Sequence, residues 1–411
     1  MVNDWKTCVS VAKFACQCRL AFLVLQLLTT LLPDYDTSAC TSTRRPSDGH
    51  CPTSTLSFLR FGVKWDAEYF ATIADDGYQY EQSMAFFPLL PKATRFVSQT
   101  VLRPIRLIGS ISNREIVLLT SVGLSFVFFP LAASFLYLLG VDALGSRSDA
   151  YRAALLFCFN PASVFMCVMY TEAPFVAFSF LAMWLMRREL YGFATVAVAL
   201  TCALRSNGIL NAGILAYCIL KGSSRQDLLK RGLKVFLLCG LSVLPFLAYQ
   251  AYGYYVLCAS DDARPWCSWR LPLSYSFIQQ HYWNIGFLRY FEVKQIPNFL
   301  LALPVFLLAV GYVGQFFARW KSENQKGLWS SYAFPYVAHL AFIAIFGATS
   351  MHIQVLTRFC FSASPAIYWY ASYLMQPNSL GEGKSSKVVS IYFVTYCVLG
   401  ILMHCTFYPW T

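Results

Sequence analysis

About eleven apolar runs are spread along the whole chain, most of them close to the length that crosses a lipid bilayer, about 20 residues. The runs lie at residues 11–32, 116–139, 152–169, 172–186, 191–204, 207–220, 235–256, 297–318, 332–348, 353–374 and 388–404. Hydrophobic residues make up 57% of the 411 residues and charged residues only 13%, which is typical of a membrane protein. We therefore predict an all-α polytopic membrane protein with about 11 transmembrane helices, forming a single integral-membrane domain over residues 1–411.

Two of these runs, 191–204 and 207–220, are shorter than a full membrane span, and Arg205 separates them. They are either two separate spans or one broken, re-entrant pair.

The charges follow the positive-inside rule. The net charge of +12 would suit a nucleic-acid-binding protein, but the basic residues stand at the ends of apolar runs and form no patch on a soluble domain. With a cytosolic N-terminus, every loop on the cytosolic side is basic. These loops contain Arg147, Arg152, Arg187, Arg188, Lys221, Arg225, Lys230, Arg231, Lys234, Arg319, Lys321, Lys326, Lys384 and Lys387. The two long loops, residues 33–115 and 257–296, then lie on the opposite side, the lumen of a secretory membrane, and we expect the function there.

The first lumenal loop, residues 33–115, is rich in carboxylates. Five of the chain's 20 acidic residues lie in one short part of it: Asp66, Glu68, Asp75, Asp76 and Glu81. Four apolar residues recur there at helical spacing: Trp65, Tyr69, Phe70 and Ile73. They predict a helix on the bilayer surface with its aromatic side chains towards the lipid. The proline-bracketed run 85–91 predicts a second interfacial element. A channel has little use for such a concentration of charge, whereas an enzyme at the membrane surface does.

Asp66 is the first candidate for catalysis. It is either a general base that takes the proton of an acceptor hydroxyl, or a helix N-cap or solvated loop carboxylate. With a sugar on a lipid phosphate as donor, the leaving group is already a stable anion, so one carboxylate suffices for an inverting transfer. Glu68 and Glu81 compete for the same role, whereas the run 75–77 is typical of a helix stop. A divalent-metal site among these carboxylates stays open, although their spacing matches no dedicated cage.

A lipid-phosphate donor needs cations on the same side of the membrane. Arg205, His352 and Arg358 qualify, because charges at the membrane edge are expensive and are usually functional or paired. The alternative is that the two arginines form a structural pair with Glu172, which is also on the lumenal side.

The second lumenal loop, residues 257–296, mixes aromatic side chains with amides and charges. These are Asp261, Asp262, Arg264, Trp266, Trp269, Gln279, Gln280, His281, Tyr282 and Trp283. Such a mixture suits a substrate lid that stacks on sugar rings, and it also suits an aromatic belt at the membrane surface. Most of the 15 cysteines lie in apolar runs, but the pairs Cys40–Cys51 and Cys258–Cys267 stand in polar loops where an oxidising lumen would allow disulfides.

Several short motifs occur together in one order along most of the chain. They are WDAEYFATIADDGYQYEQSMAFFPLLP, NPASVFMCVMYTEAPF, RSNG, PWCSW, YWNIGFLRYF, IPNFLLALP, HIQVLTRF and the tail HCTFYPWT. Each motif is short, but in this order they resemble the GPI mannosyltransferase 2 family from about residue 58 to the C-terminus. That family adds the second mannose during assembly of the glycosylphosphatidylinositol (GPI) anchor.

The resemblance implies a GT-C glycosyltransferase fold in the endoplasmic reticulum membrane, with the active site at its lumenal face. It implies dolichyl phosphate mannose as donor, a mono-mannosylated GPI precursor as acceptor and an α-1,6 linkage made with inversion, and it calls for no cofactor. Asp66 in the Trp65-Asp66 motif matches the acidic residue that GT-C enzymes carry in their first lumenal loop. The remaining substrate-binding candidates within the matching motifs are Trp65, Glu68, Glu81, Arg205, Asn207, His352 and Arg358. Whether an accessory membrane subunit is needed stays open.

Two other functions would fit parts of the same sequence. Another GT-C polyprenyl-phosphate-sugar transferase would use the same chemistry and differ in acceptor contacts that the sequence does not locate. A lipid or solute transporter is the alternative from a different class. Transporters tend to show internal repeats and polar, broken helices at the bilayer midplane, but no repeat was found here and the polar residues collect in the lumenal loops.

Overall fold

In a computed structural model the protein is helical throughout the part of the chain that the structure describes, residues 2–35, 57–107, 111–221, 226–259, 264–322, 331–376 and 384–410. Its α-helices are α1 (Val2–Thr29), α2 (Asp66–Asp76), α3 (Leu89–Thr100), α4 (Asn113–Leu144), α5 (Arg147–Cys158), α6 (Glu172–Arg187), α7 (Tyr191–Leu204), α8 (Ile209–Leu220), α9 (Leu228–Cys258), α10 (Ser274–Trp283), α11 (Ile296–Ser322), α12 (Phe334–Ser350), α13 (Val355–Ala363), α14 (Ala366–Leu374) and α15 (Lys384–Cys405). The prediction of an all-α polytopic membrane protein is confirmed.

Five helical segments of the described chain are long and apolar enough to cross a membrane: Asp4–Thr29 within α1, the whole of α4, α9 and α15, and Val293–Ser322, which contains α11. The other apolar runs form shorter helices, and two of them are divided. In the run 152–169, helix α5 ends at Cys158 and a 3₁₀ turn follows at Ser163–Met166. The run 353–374 forms two helices, α13 and α14. The number of spans therefore stays a prediction.

Helix α4 is a central packing element of the described part of the chain. It begins with a capping box, because Ser112 accepts a hydrogen bond from the Glu115 backbone and the Glu115 carboxylate accepts one from Ser112 N. It ends at Gly145, whose left-handed conformation (φ 67°) closes the last turn. Its buried residues pack against α1, α5 and α6, which places the start of α6 next to the first lumenal loop.

In the first lumenal loop the carboxylate-rich segment forms α2, and the predicted helix stop is confirmed, since α2 ends at Asp76 and Gly77 follows with φ 81°. The predicted contact of its apolar face with lipid is wrong for two of the four residues. Phe70 and Ile73 are buried inside the protein against the main core instead of facing lipid. The periodicity identified an apolar face correctly, but such a face packs on protein and on lipid equally well.

The second lumenal loop is held together by a disulfide between Cys258, at the end of α9, and Cys267. This prediction is confirmed. The other predicted pair, Cys40–Cys51, and the lid residues Asp261 and Asp262 lie outside the described residues.

The short helices α7 and α8 are two helices broken at Arg205, which has extended backbone angles. The turn after it is tight. A side chain at Gly208 would come within 2.4 Å of the Thr201 backbone carbon, so only glycine lets α8 start so close to the end of α7. The break presents Arg205 towards the start of α6.

Candidate active site

Asp66 is the first residue of α2. The helix is preceded by Trp65, whose φ of 57° is unusual for a residue other than glycine, and no side chain caps its N-terminus. The N-cap interpretation of Asp66 is therefore wrong. Its Oδ2 atom accepts a hydrogen bond of 3.1 Å from Arg358 Nη1, and the side chain is 37% exposed. One carboxylate oxygen is thus fixed by a cation while the group remains accessible.

Arg358 joins two carboxylates. Besides Asp66, its Nε atom lies 3.3 Å from Oε1 of Glu172, the first residue of α6. Its guanidinium also lies 4.9 Å from the centre of the Phe165 ring, within cation–π distance. The planar guanidinium can hold both carboxylates at once in a fixed geometry, which a lysine ammonium would not reproduce.

Arg205 pairs with the same Glu172 oxygen from the other side. Its Nη1 also donates to Thr171 Oγ1 at 3.2 Å, and its Nε donates to Asn207 Oδ1 at 3.3 Å. The predicted pairing of Arg205 and Arg358 with Glu172 is confirmed. With Asp66, which also pairs with Arg358, the network holds two carboxylates against two guanidinium groups, so its charges balance, and the phosphate-binding role of both arginines stays a prediction.

Two buried polar atoms beside Arg205 have no hydrogen-bond partner in the described part of the chain, Glu172 Oε2 and Asn207 Nδ2. Buried polar atoms are almost always satisfied, so each is available to a substrate or to water. Asn207 therefore stands in the site through its contact with Arg205, and its substrate role stays a prediction.

Tyr170, which the sequence analysis did not single out, supports the start of α2. Its hydroxyl accepts a 3.1 Å hydrogen bond from the Asp66 backbone nitrogen and lies 3.4 Å from the carbonyl oxygen of Lys64. His404 Nε2 lies 3.3 Å from the same hydroxyl. In the sequence Tyr170 lies in the short gap between the apolar runs 152–169 and 172–186 and carries no charge, so only the tertiary contact identifies it.

The C-terminal motif covers the residues just before Asp66. The Phe407 ring stacks at 5.0 Å from the Trp65 ring, and Lys64 Nζ lies 4.9 Å from the centre of the Phe407 ring. Phe407, like Trp65, has a positive φ, 65°. Trp65 is 41% exposed, so part of its ring remains open to a ligand while the tail fixes the rest.

Glu68 points to a different partner. Its Oε2 lies 2.6 Å from Arg114 Nη2, and Arg114 Nη1 lies 3.5 Å from Asp75 Oδ2. These contacts attach α2 to the start of α4 and do not involve Arg358. The proposed substrate role of Glu68 stays a prediction. On the same helix, burial and then the Asp66 charge raise the pKa of Tyr69.

Glu81 connects the two lumenal loops. Its carboxylate accepts hydrogen bonds from Trp266 Nε1 at 3.2 Å and from the Tyr282 hydroxyl at 2.8 Å, and Arg264 Nε lies 3.5 Å away. Burial and then the hydrogen bond to Glu81 raise the pKa of Tyr282. Glu81 is buried and Trp266 fully so, so this contact fixes the second loop against the first, next to the site.

His352 lies at the base of the second loop. Its Nε2 is 2.7 Å from the Trp283 carbonyl oxygen, and its ring stacks on Tyr290 at 4.6 Å. The described contacts do not bring it to Asp66 or Arg205, and its phosphate role stays a prediction. Among the residues that the structure describes, no group of three or more His, Cys, Asp or Glu side chains could hold a metal ion.

Comparison with solved structures finds an archaeal oligosaccharyltransferase. The crystal structure of the Archaeoglobus fulgidus oligosaccharyltransferase in its apo form aligns with a TM-score of 0.49 at 11% sequence identity, over 96% of this chain and 56% of that chain. This chain therefore spans little more than half the length of that enzyme.

Comparison of sequences is more specific. The family model described as mannosyltransferase (PIG-V) matches residues 8–411. The Homo sapiens protein named GPI alpha-1,6-mannosyltransferase 2 is 33% identical over 98% of this chain and 98% of its own length. The Drosophila pseudoobscura pseudoobscura GPI mannosyltransferase 2 is 34% identical over 98% and 99%, and that of Schizosaccharomyces pombe 29% over 84% and 73%. The match covers nearly the whole chain and includes every residue of the site, so the chain belongs to the mannosyltransferase (PIG-V) family.

Proposed function

We propose that this mannosyltransferase transfers an α-1,6-linked mannose from dolichyl phosphate mannose to the mono-mannosylated GPI precursor, with inversion at the sugar carbon. The names of its relatives support the linkage and the pathway. The observation that carries the mechanism is the chain of contacts from the accessible carboxylate of Asp66 through Arg358 to Glu172 and Arg205. It places a base next to cations, as a lipid-phosphate donor requires.

Asp66 acts as the general base in this proposal. Its Oδ2 is held by Arg358, which leaves Oδ1 to accept the proton of the attacking acceptor hydroxyl. The bond between the acceptor oxygen and the mannose C1 forms while the bond from C1 to the phosphate oxygen breaks, and the proton passes to Asp66. The leaving dolichyl phosphate keeps the bonding electrons as a stable anion, so the site needs no second carboxylic acid.

Arg205 and Arg358 hold the donor phosphate. Both guanidinium groups are largely buried, with 16% of each side chain exposed, where charge-assisted hydrogen bonds to a phosphate are strongest. Both also share Glu172, which keeps them in place before the donor binds. Asn207 Nδ2 supplies a further donor beside them.

The site faces the lumen of the endoplasmic reticulum in this proposal, within a GT-C fold. The basic ends of the helices lie on the other side, as the positive-inside rule requires, and the disulfide Cys258–Cys267 suits an oxidising compartment. The second lumenal loop, fixed to the first through Glu81, serves as the substrate lid. Both substrates are membrane lipids, and the reaction needs no cofactor or nucleic acid. An accessory membrane subunit is left open.

The transfer is tested with membranes from cells that lack the second GPI mannosyltransferase, supplied with labelled dolichyl phosphate mannose. Wild type should convert the one-mannose to the two-mannose intermediate, as separated by chromatography. The Asp66→Asn variant keeps the shape and the Arg358 contact but loses the basic charge, so the rate should fall by about 10² to 10⁴.

Asp75→Asn is the matched control, because it removes a carboxylate from the same helix that pairs with Arg114. It should keep most of the activity. Near-normal transfer by a correctly inserted Asp66→Asn variant would remove Asp66 from the mechanism. Absence of conversion by a well-expressed wild type would contradict the acceptor assignment. The alternatives of another GT-C transferase or a transporter have no comparable support.

A further inference from the structure

A polar cavity lies at the end of helices α6, α7 and α8 that is opposite the candidate active site. Its volume is about 460 Å³. It is lined by residues at the end of α6, the start of α7 and the end of α8. Residues near the starts of α9 and α12 complete the lining. Helix α7 runs from Tyr191 at this cavity to Leu204 next to Arg205, and its 14 residues make it about 20 Å long. The predicted orientation places the cavity on the cytosolic side.

The cavity is strongly cationic. Four basic side chains line it against the single carboxylate of Glu189, and they are Arg187, Lys221, Arg231 and Lys234. None of the four forms an ion pair with a carboxylate in the described part of the chain. Among the residues that the structure describes, the cavity therefore has more positive than negative side chains.

Two of these charges are forced together. Lys221 Nζ lies 2.8 Å from the centre of the Tyr332 ring, and the Arg187 guanidinium carbon lies 3.8 Å from the same centre. Lys221 Nζ is buried and has no hydrogen-bond acceptor among the described residues. Burial and then the charge of Arg187 lower the pKa of Lys221 to about 8. An anion placed between the two cations would relieve this repulsion and satisfy the ammonium group.

The two arginines of the cavity already donate hydrogen bonds to backbone carbonyl oxygens. Arg187 donates from Nε and Nη2 to the Asp142 carbonyl oxygen, at 3.2 and 2.9 Å. Arg231 donates from Nη1 to the carbonyl oxygens of Ile219, in the last turn of α8, and Lys221, which follows the helix. The two lysines make no such bond in the described structure, and Lys234 Nζ lies 4.6 Å from the centre of the Tyr191 ring. Their ammonium groups are thus the ones available to a ligand.

We propose that this cavity binds the phosphate headgroup of an anionic lipid from the cytosolic leaflet. Basic pockets between membrane helices on the cytosolic side are suited to such headgroups. Helices α7 and α9 meet at the contact between Tyr191 and Lys234. Both carry exposed apolar side chains close in sequence to that contact, namely Phe193 and Val196 on α7 and Leu233 and Leu237 on α9. They offer a surface for acyl chains beside the cationic end, which a soluble phosphate compound would not use.

Binding is measured by native mass spectrometry of the purified full chain in detergent, with dioctanoyl phosphatidic acid as the probe. Dioctanoyl phosphatidylcholine tests the need for an anionic headgroup, and glycerol 3-phosphate tests the need for acyl chains. Wild type should bind phosphatidic acid at least about tenfold more tightly than either compound. Equal binding of phosphatidylcholine overturns the anion site, and equal binding of glycerol 3-phosphate overturns the lipid source.

The Lys221→Gln/Lys234→Gln double variant should weaken phosphatidic acid binding by about tenfold or more. The matched control, Lys230→Gln/Lys387→Gln, removes the same charge from exposed positions outside the cavity and should change binding less than about twofold. Equal loss in both pairs would reduce the effect to general surface charge and overturn the site. The Lys221→Arg/Lys234→Arg variant keeps the charge and should bind like wild type, which separates lost binding from lost folding.

Discussion

Arg358 Nη1 lies 3.1 Å from Asp66 Oδ2, although 292 positions separate the two residues in the chain. The same guanidinium contacts Glu172, so the orientation of the carboxylate at the start of α2 depends on residues from two other parts of the fold. The accessible carboxylate of Asp66 is fixed from behind by a buried ionic network, which is how a catalytic group is kept ready without reorganisation.

Replacing Arg358 by lysine tests this dependence. Arg358→Lys keeps the charge but offers a single ammonium group in place of a planar fork, so it cannot hold Asp66 and Glu172 together. We expect transfer to fall by about 10- to 100-fold with a higher KM for dolichyl phosphate mannose. Initial rates at varied donor concentration give both values. Arg114→Lys, which alters the partner of Glu68 and Asp75, should stay within about threefold of wild type.

Glu172→Gln tests the buried centre of the network. The substitution keeps the volume but leaves two guanidinium groups without their shared counter-ion, which should lower the free energy of unfolding by about 3–5 kcal/mol. Thermal unfolding of the purified protein followed by fluorescence measures the loss. Asp142→Asn removes a carboxylate from an exposed pair with Arg188 and should cost no more than about 1 kcal/mol. An unchanged unfolding temperature in Glu172→Gln would show that the pair carries no stability.

Tyr170→Phe tests a positioning role. The variant loses the hydroxyl that accepts from the Asp66 backbone, worth about 1–1.5 kcal/mol, which corresponds to about a tenfold lower kcat with little change in KM. Tyr137→Phe is the control, because Tyr137 is also buried but its hydroxyl has no partner among the described residues. Equal effects of the two variants on kcat would refute the positioning role.

The orientation of the membrane helices is tested by introducing glycosylation sites. Arg270→Asn/Pro272→Thr creates an Asn-Leu-Thr acceptor in the second lumenal loop, where Leu271 is exposed. Gln226→Asn/Leu228→Thr creates one at the start of α9, on the predicted cytosolic side. We expect a glycosidase-sensitive shift in mobility for the first variant only, because the modification occurs in the lumen. The reverse pattern would invert the assignment of both the active site and the cationic cavity.

The sequence located the charged members of the site because charge at a membrane edge is conspicuous. Asp66, Arg205 and Arg358 were found in this way, and so was the possible pairing with Glu172. Tyr170 was missed because an uncharged tyrosine between two apolar runs has the same appearance as a core residue. The α2 helix was predicted, but its apolar face was assigned to lipid, since periodicity does not distinguish a lipid neighbour from a protein neighbour. The contacts of Glu81 with Trp266 and Tyr282 join two distant loops, and no local pattern predicts such a contact.

The separation of Asp66 and Arg358 in the chain also determines when the two residues can pair during synthesis of the protein. At a synthesis rate of about 5–20 residues per second, roughly 15 to 60 s pass between the two residues leaving the ribosome. The interval between Glu172 and its partner Arg205 is far shorter. Arg205 follows Glu172 by 33 positions, which takes roughly 2 to 7 s at the same rate. The buried carboxylate is therefore neutralised early in membrane insertion, whereas Asp66 stays without its cation until α13 arrives. Nascent chains that stop before α13 would contain an assembled Glu172–Arg205 pair but no working catalytic base.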